Sequence, residues 1–133
     1  MAGSIADGVV LLVGIEPGDT FHDVDRAADK VANLRIFSDE NGLMNRSITE
    51  TGGSALVVSQ FTLMGDVRKG RRPSFVGAAD PEQAEPMLER LTELLREAGI
   101  RTETGVFGAT MEVDLVNDGP VTIILEIREG RVI

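Results

Sequence analysis

The 133-residue chain has no cysteine and a single histidine, His22. Without cysteine there is no disulfide, no thiolate nucleophile and no cysteine-ligated metal. With one histidine, zinc sites of the usual His/Cys kind are excluded, and a Ser-His-Asp arrangement would have to recruit His22 itself. That residue falls in the first turn of an expected helix, where a surface or capping role is the simplest reading. Positive charge is also scarce. Thirteen Lys+Arg oppose 22 Asp+Glu, for a net charge of −9, which argues against generic nucleic-acid binding, since that draws its attraction from a basic surface. No apolar run approaches the roughly 20 residues of a membrane-spanning helix, and no basic n-region opens the chain. A cysteine-free chain suits a reducing compartment as well as an exported one, so the cytoplasm is the default expectation. Gly14 and Gly52-Gly53 do not complete a phosphate-binding loop. Glu112, Asp114 and Asp118 lack ligand-loop spacing, and Asp118 reads as a turn residue. Neither a metal nor a cofactor is expected.

What is present is a globular pattern. The hydrophobic fraction is 42%, and a chain of this length forms one domain, residues 1–133, burying roughly 65–70% of its unfolded surface. Val9 to Ile15 is a continuous, β-branched apolar run of strand length. After the turn Glu16-Pro17-Gly18-Asp19, Asp19 or Thr20 caps a helix with Phe21, Val24, Ala27, Ala28, Val31 and Leu34 at helical spacing. Leu43 to Ile48 reads as a short edge strand, Thr51-Gly52-Gly53 as a turn, and Ala55 to Gln60 as a buried strand. A long polar loop follows from Met64 to Asp80. Asp80-Pro81-Glu82-Gln83 then starts a second helix with a cap, a first-turn proline and a glutamine three residues past the cap. Met87, Leu88, Leu91, Leu94 and Leu95 form its buried stripe, and Gly99 stops it. Strands are expected near Ile100–Thr104, Met111–Val116 and Val121–Ile127. The order, roughly β-α-β-β-α-β-β-β, predicts a mixed α/β fold: a twisted, partly rolled mixed sheet with two main helices on it.

Three segments carry candidate chemistry. Ser59-Gln60-Phe61-Thr62 closes the central strand. Alternation places Ser59 and Phe61 on one face, Gln60 and Thr62 on the other. If the strand ends there, its freed backbone N–H groups are candidate donors for the oxyanion of an acyl-transfer intermediate; the alternative is that Ser59, Gln60 and Thr62 merely satisfy strand-end hydrogen bonds. Asn117-Asp118-Gly119-Pro120-Val121-Thr122 lies between two apolar runs and reads as a hairpin corner. On residue physics its Gly119–Pro120 bond is trans, since X-Pro is cis in only about 5–6% of cases. Arg68-Lys69-Gly70-Arg71-Arg72 places four basic residues in five positions. It is either a solvated loop or a local patch on which arginine forks pair with phosphate, the acidic remainder confining RNA to that side.

Taken in order, these segments resemble the D-aminoacyl-tRNA deacylases. Arg35-Ile36-Phe37-Ser38-Asp39 with Gly42, Met44 and Asn45 is similar to the family's post-helix segment. Gly52 through Leu63, Arg72-Pro73-Ser74-Phe75, Thr104 through Ala109 and Leu115 through Thr122 match further family stretches. The resemblance implies a homodimeric editing hydrolase without cofactor or metal. It would cleave the ester of D-aminoacyl-tRNA, and of glycine mischarged on tRNA(Ala). It further implies that each subunit lends a cis Gly119–Pro120 corner, with Val121 and Thr122, to its partner's pocket. There the two carbonyls hold the α-amino group and leave no room for an L side chain. Donors in Ser59-Gln60-Phe61-Thr62 would position the ester carbonyl, and the substrate's own 2′-hydroxyl would assist water. Thr62 as nucleophile is the competing mechanism, and it lacks a visible activator. Arg68, Lys69, Arg71 and Arg72 would meet the tRNA, and Phe75 or Phe107 would either stack on its terminal base or sit in the core. Family members usually open with a further strand and hairpin, including an arginine near the pocket. Here Met1 to Ile5 begins where that hairpin ends. The expectation is a start that is truncated or misassigned, with a sheet edge exposed. A non-catalytic RNA-binding module and an inactive remnant of the fold are the alternative readings.

Overall fold

The computed structural model describes residues 1–133. Its centre is a three-stranded parallel sheet in the order β1 (Gly8–Val13), β4 (Ser54–Ser59), β5 (Thr102–Thr104). Parallel neighbours require crossovers. α1 (Phe21–Asn33) lies in the first and α3 (Pro81–Glu97) in the second. Two successive crossovers in the same direction put both helices on one face, and α1 and α3 accordingly touch. The core lies between them and the sheet. Val24, Ala28 and Ala32 of α1 meet Met87, Leu88, Leu91 and Leu95 of α3 over Ala55 and Val57 of β4. Val24, Ala27, Ala28 and Val31 of α1 and the leucine stripe of α3 therefore face inward as the spacing predicts, whereas Phe21 is 50% exposed and Leu34 lies just past the end of α1.

Local chemistry sets the element ends. Asp23 at the third helical position accepts the Thr20 backbone N–H (2.9 Å) and Thr20 Oγ1–H (3.3 Å), so Thr20, not Asp19, caps α1. α3 starts at Asp80–Pro81 and is stopped by Gly99, whose φ is +86°. Gln83 does not serve the α3 cap as its spacing suggests. Its Nε2 donates to the carbonyls of Glu16 (3.3 Å), Pro17 (2.9 Å) and Asp19 (3.3 Å), tying α3 to the turn after β1. The family-like stretch after α1 folds around Asp39, which accepts the amides of Asn41 and Leu43 and the Asn45 side chain. Leu43 backbone donation is the main reason the Asp39 carboxyl lies below its usual range.

Several expectations are corrected. The strand read at Leu43–Ile48 is only β3 (Met44–Arg46), paired antiparallel with β2 (Phe37–Ser38). Ser47 then caps a one-turn helix, α2 (Ile48–Thr51), in a box with Glu50, and Gly52 ends it at φ +72°. β5 begins at Thr102, not Ile100. The strands expected at Met111–Val116 and Val121–Ile127 do not form. β5 is an edge strand of three residues and the chain leaves the sheet at Gly105, so the alternating segments are not laddered onto β5, nor onto β1 at the other edge. Val116 and Ile124 remain 91% and 83% exposed. Strand structure returns only in a C-terminal hairpin, β6 (Ile127–Arg128) with β7 (Arg131–Val132). The fold is mixed α/β with two main helices, its strands divided over one parallel sheet and two small hairpins.

Candidate active site

The C-terminal end of β4 is the best-built polar feature. The Gln60 N–H donates to the Val13 carbonyl (2.8 Å), and the backbone then coils into a 3-10 turn, Phe61–Met64. Inside that turn the first donation is from Leu63 N–H to the Gln60 carbonyl (3.2 Å). The amides of Phe61 and Thr62 precede it and have no partner within the turn, as at any helix N-terminus. Alternation therefore stops at Ser59, and the expected opposite facing of Phe61 and Thr62 is replaced by turn geometry. Gln60 and Thr62 still act together: Gln60 Nε2 donates to Thr62 Oγ1 at 3.1 Å. A side-chain amide cannot take a proton from a hydroxyl, so this partner orients Thr62 without activating it. Phe61 is 57% exposed, and its ring meets Phe75 edge-on at 5.2 Å between centroids. The Ser59–Thr62 segment and the Arg72-Pro73-Ser74-Phe75 stretch are thus joined through two aromatic rings. Gly14 allows the turn its close seat, because a Cβ there would stand 2.9 Å from Met64 Cε and 3.3 Å from the Gln60 carbonyl oxygen.

Ser59 alone of the four lines a cleft of about 340 Å³ between the ends of β4 and β5 and one face of α3. Thr104, Phe107, Thr92 and the carboxylates Glu85, Glu89 and Glu93 share its wall. Phe107 is half-buried there rather than in the core.

The Gly119–Pro120 bond is cis, which corrects the trans reading from residue physics. Gly119 has φ +137°, and a Cβ on it would lie 2.8 Å from Val121 Cγ2, so glycine is required at this position. Asn117, named within the segment from the sequence but given no role there, spans the corner. Its Oδ1 accepts the Val121 N–H (2.8 Å) and its Nδ2 donates to Thr122 Oγ1 (2.9 Å). Asparagine ahead of a glycine corner was the available signal. The corner is not a hairpin end, since no strands flank it. Asp118, Gly119 and Pro120 are exposed, Val121 is half-buried, and none of Gly119 to Thr122 lines the cleft. No hydrogen bond links this corner to Ser59–Thr62 within the chain.

The basic loop is pinched by a bridge between Asp66 and Ser74 (2.7 and 2.9 Å). Arg68 is pinned to Asp66 by two side-chain bonds (2.9 and 2.7 Å), which holds the Asp66 carboxyl below its usual range and raises the guanidinium. Lys69, Arg71 and Arg72 are exposed. No three His, Cys, Asp or Glu side chains converge in a metal-binding group, and no helix is long and apolar enough to cross a membrane.

Comparison with known proteins adds an independent line. The family profile described as D-Tyr-tRNA(Tyr) deacylase matches residues 1–126. A D-aminoacyl-tRNA deacylase of Geobacillus sp. (strain WCH70) is 58% identical over 97% of this chain and 85% of its own length. One from Thermomicrobium roseum is 59% identical over 98% and 85%. Among solved structures, the c-Myc DNA unwinding element binding protein superposes with a TM-score of 0.86 at 41% identity, covering 93% of this chain and 85% of its own.

Proposed function

Because the chain belongs to the D-Tyr-tRNA(Tyr) deacylase family, we propose that it is an aminoacyl-tRNA editing hydrolase that releases D-amino acids from tRNA. Water adds to the ester carbonyl, the bond to the ribose oxygen breaks, and free D-amino acid and deacylated tRNA result. The observation that carries this reading is the near full-length likeness to curated deacylases.

The finer mechanism builds on the amides of Phe61 and Thr62. Donors placed where an oxyanion develops contribute about 3–4 kcal/mol each in acyl transfer. Thr62 has an amide for its partner and no base, which favours donor catalysis, with the substrate's 2′-hydroxyl assisting water, over attack by Thr62. Chiral selection is assigned to the Gly119–Pro120 corner of a second subunit in a homodimer, which admits D-residues and glycine, including glycine mischarged on tRNA(Ala). The corner's exposure and its rigid Asn117 bracing suit a donated element. Lys69, Arg71 and Arg72, exposed on one loop, suit the tRNA backbone in the cytoplasm. The test is a matched pair of D- and L-aminoacyl-tRNAs. Release of the D-residue with the L-ester spared is expected. Equal rates on both refute chiral editing, and RNA binding without any esterase activity supports the non-catalytic module instead.

A further inference from the structure

Gly119 and Pro120 sit about two-thirds of the way along a segment, Gly105 to Glu126, that has no strand ladder of its own. Such a segment holds a shape only through its ends and local braces. At the near end, Gly105 N–H donates to the Val57 carbonyl (3.1 Å) in the central sheet. At the far end stands the β6–β7 hairpin, which lies beyond the residues 1–126 matched by the family profile. Arg128 pairs with Arg131, so the turn is Glu129-Gly130, with φ of +52° and +72°. Positive φ at both central residues is the hairpin geometry that matches strand twist. Ile133 N–H donates to the Glu126 carbonyl (2.9 Å), closing the hairpin onto the end of the segment.

The hairpin is fastened at two points, one in the first turn of α1 and one in the turn between β1 and α1. Gly130 N–H donates to Asp23 Oδ1 at 2.7 Å, and Arg128 forks onto both oxygens of Glu16 (2.9 and 3.2 Å). Asp23 is only 6% exposed. Its Oδ2 is committed to the Thr20 N–H and hydroxyl. One buried carboxylate thus serves the α1 cap with one oxygen and the hairpin with the other. Glycine suits position 130 because its φ of +72° is one that other residues rarely adopt, and a Cβ there would also displace the exposed His22 ring.

We infer that Asp23 is a positioning residue for chiral selection, clamping the C-terminal hairpin so that the segment carrying Gly119–Pro120 is held at both ends. The inference rests on the reading that this corner selects the substrate. An asparagine at position 23 has one acceptor oxygen; turned toward the two Thr20 donors, it faces the Gly130 N–H with its own N–H₂, so the hairpin bond is the one lost.

The test compares three variants of the full chain. Asp23→Asn and Arg128→Met loosen the clamp from opposite sides. Thr20→Ala weakens the same helix cap without touching the hairpin. Amide exchange at Gly130 and at Val121–Leu125, and KM, kcat and the D-over-L ratio on aminoacyl-tRNA, are measured for each. Expected in both clamp variants is faster exchange, KM raised roughly fivefold with kcat held within about twofold, and a D-over-L ratio lowered to a similar degree. Thr20→Ala leaves exchange and ratio as in the wild type. Unchanged exchange in Asp23→Asn, or the same losses in Thr20→Ala, overturns the inference. Gly119→Ala reports on the corner separately. A ratio that falls in Gly119→Ala but holds in Asp23→Asn refutes the positioning role alone. A ratio unmoved in both refutes the corner's role and the positioning role with it.

Discussion

Replacing Thr62 by valine separates the two ways in which the end of β4 could break an ester. Valine keeps the branched shape and the backbone N–H and deletes only the hydroxyl. In the structure that hydroxyl makes one side-chain hydrogen bond, accepted from Gln60 Nε2 at 3.1 Å, on an exposed residue. Loss of one such bond costs about 0.5–1.5 kcal/mol, which is roughly two- to tenfold in kcat/KM if the hydroxyl only orients its neighbours. Removal of a true nucleophile costs on the order of 10⁶ in kcat. The two outcomes are separated by several powers of ten, so moderate scatter in the assay does not blur them. Single-turnover release from D-aminoacyl-tRNA, with enzyme in excess, reads the chemical step directly. Folding is not a confounder, because exposed substitutions of this kind stay within about 0.5 kcal/mol. A loss beyond about 10³-fold refutes donor catalysis by the turn amides and makes Thr62 the attacking group.

Ser47→Ala removes the α2 cap, where Ser47 and Glu50 exchange backbone bonds. A loss of about 1 kcal/mol should lower the thermal midpoint by roughly 3–5 °C in calorimetry. The Asp23 carboxyl is held below its usual range, first by the Thr20 backbone N–H and then by that of Gly130. The stability it contributes is therefore full above the unfolded carboxyl value of about 3.9 and is lost as pH falls through the lower folded value. Urea midpoints followed down from neutral pH should fall in that acid window for the wild type and less steeply for Asp23→Asn. Among the basic loop residues, Arg71→Glu and Arg72→Glu should raise KM for aminoacyl-tRNA and flatten its salt dependence. Arg68→Ala should do less, its charge being already paired with Asp66; equal effects at all three positions contradict a tRNA-facing loop.

Periodicity made β1, α1, β4 and α3 legible, because each buries one face against the others and the pattern records which face. The four-residue α2 is spelled out by Ser47 and Glu50, yet the β-branched Ile48 extends the strand reading from Leu43 into its first residue, and Thr51 reads as part of a turn. The segments around Val113 and Ile123 carry a strand pattern too. A strand also needs a neighbouring backbone, and alternation in one segment says nothing of whether its partner row is within reach. Asn117 illustrates the same limit at the site. Its residue type marks a turn, but only the folded corner shows it bracing both Val121 and Thr122.

By itself the amino-acid order determined the family, the two amphipathic helices, the buried central strand and the chemistry that is missing, since each of these is a property of local pattern or residue inventory. Tertiary structure decided the rest. It seated the Phe61–Met64 turn, with the Phe61 and Thr62 amides unpartnered within it, against Gly14, and brought Gly130 to Asp23 across 107 positions of chain. Those outcomes depend on which distant groups meet, and a part-buried hydrogen bond such as that from Gly130 to Asp23 adds to stability only where packing limits the water that would replace it.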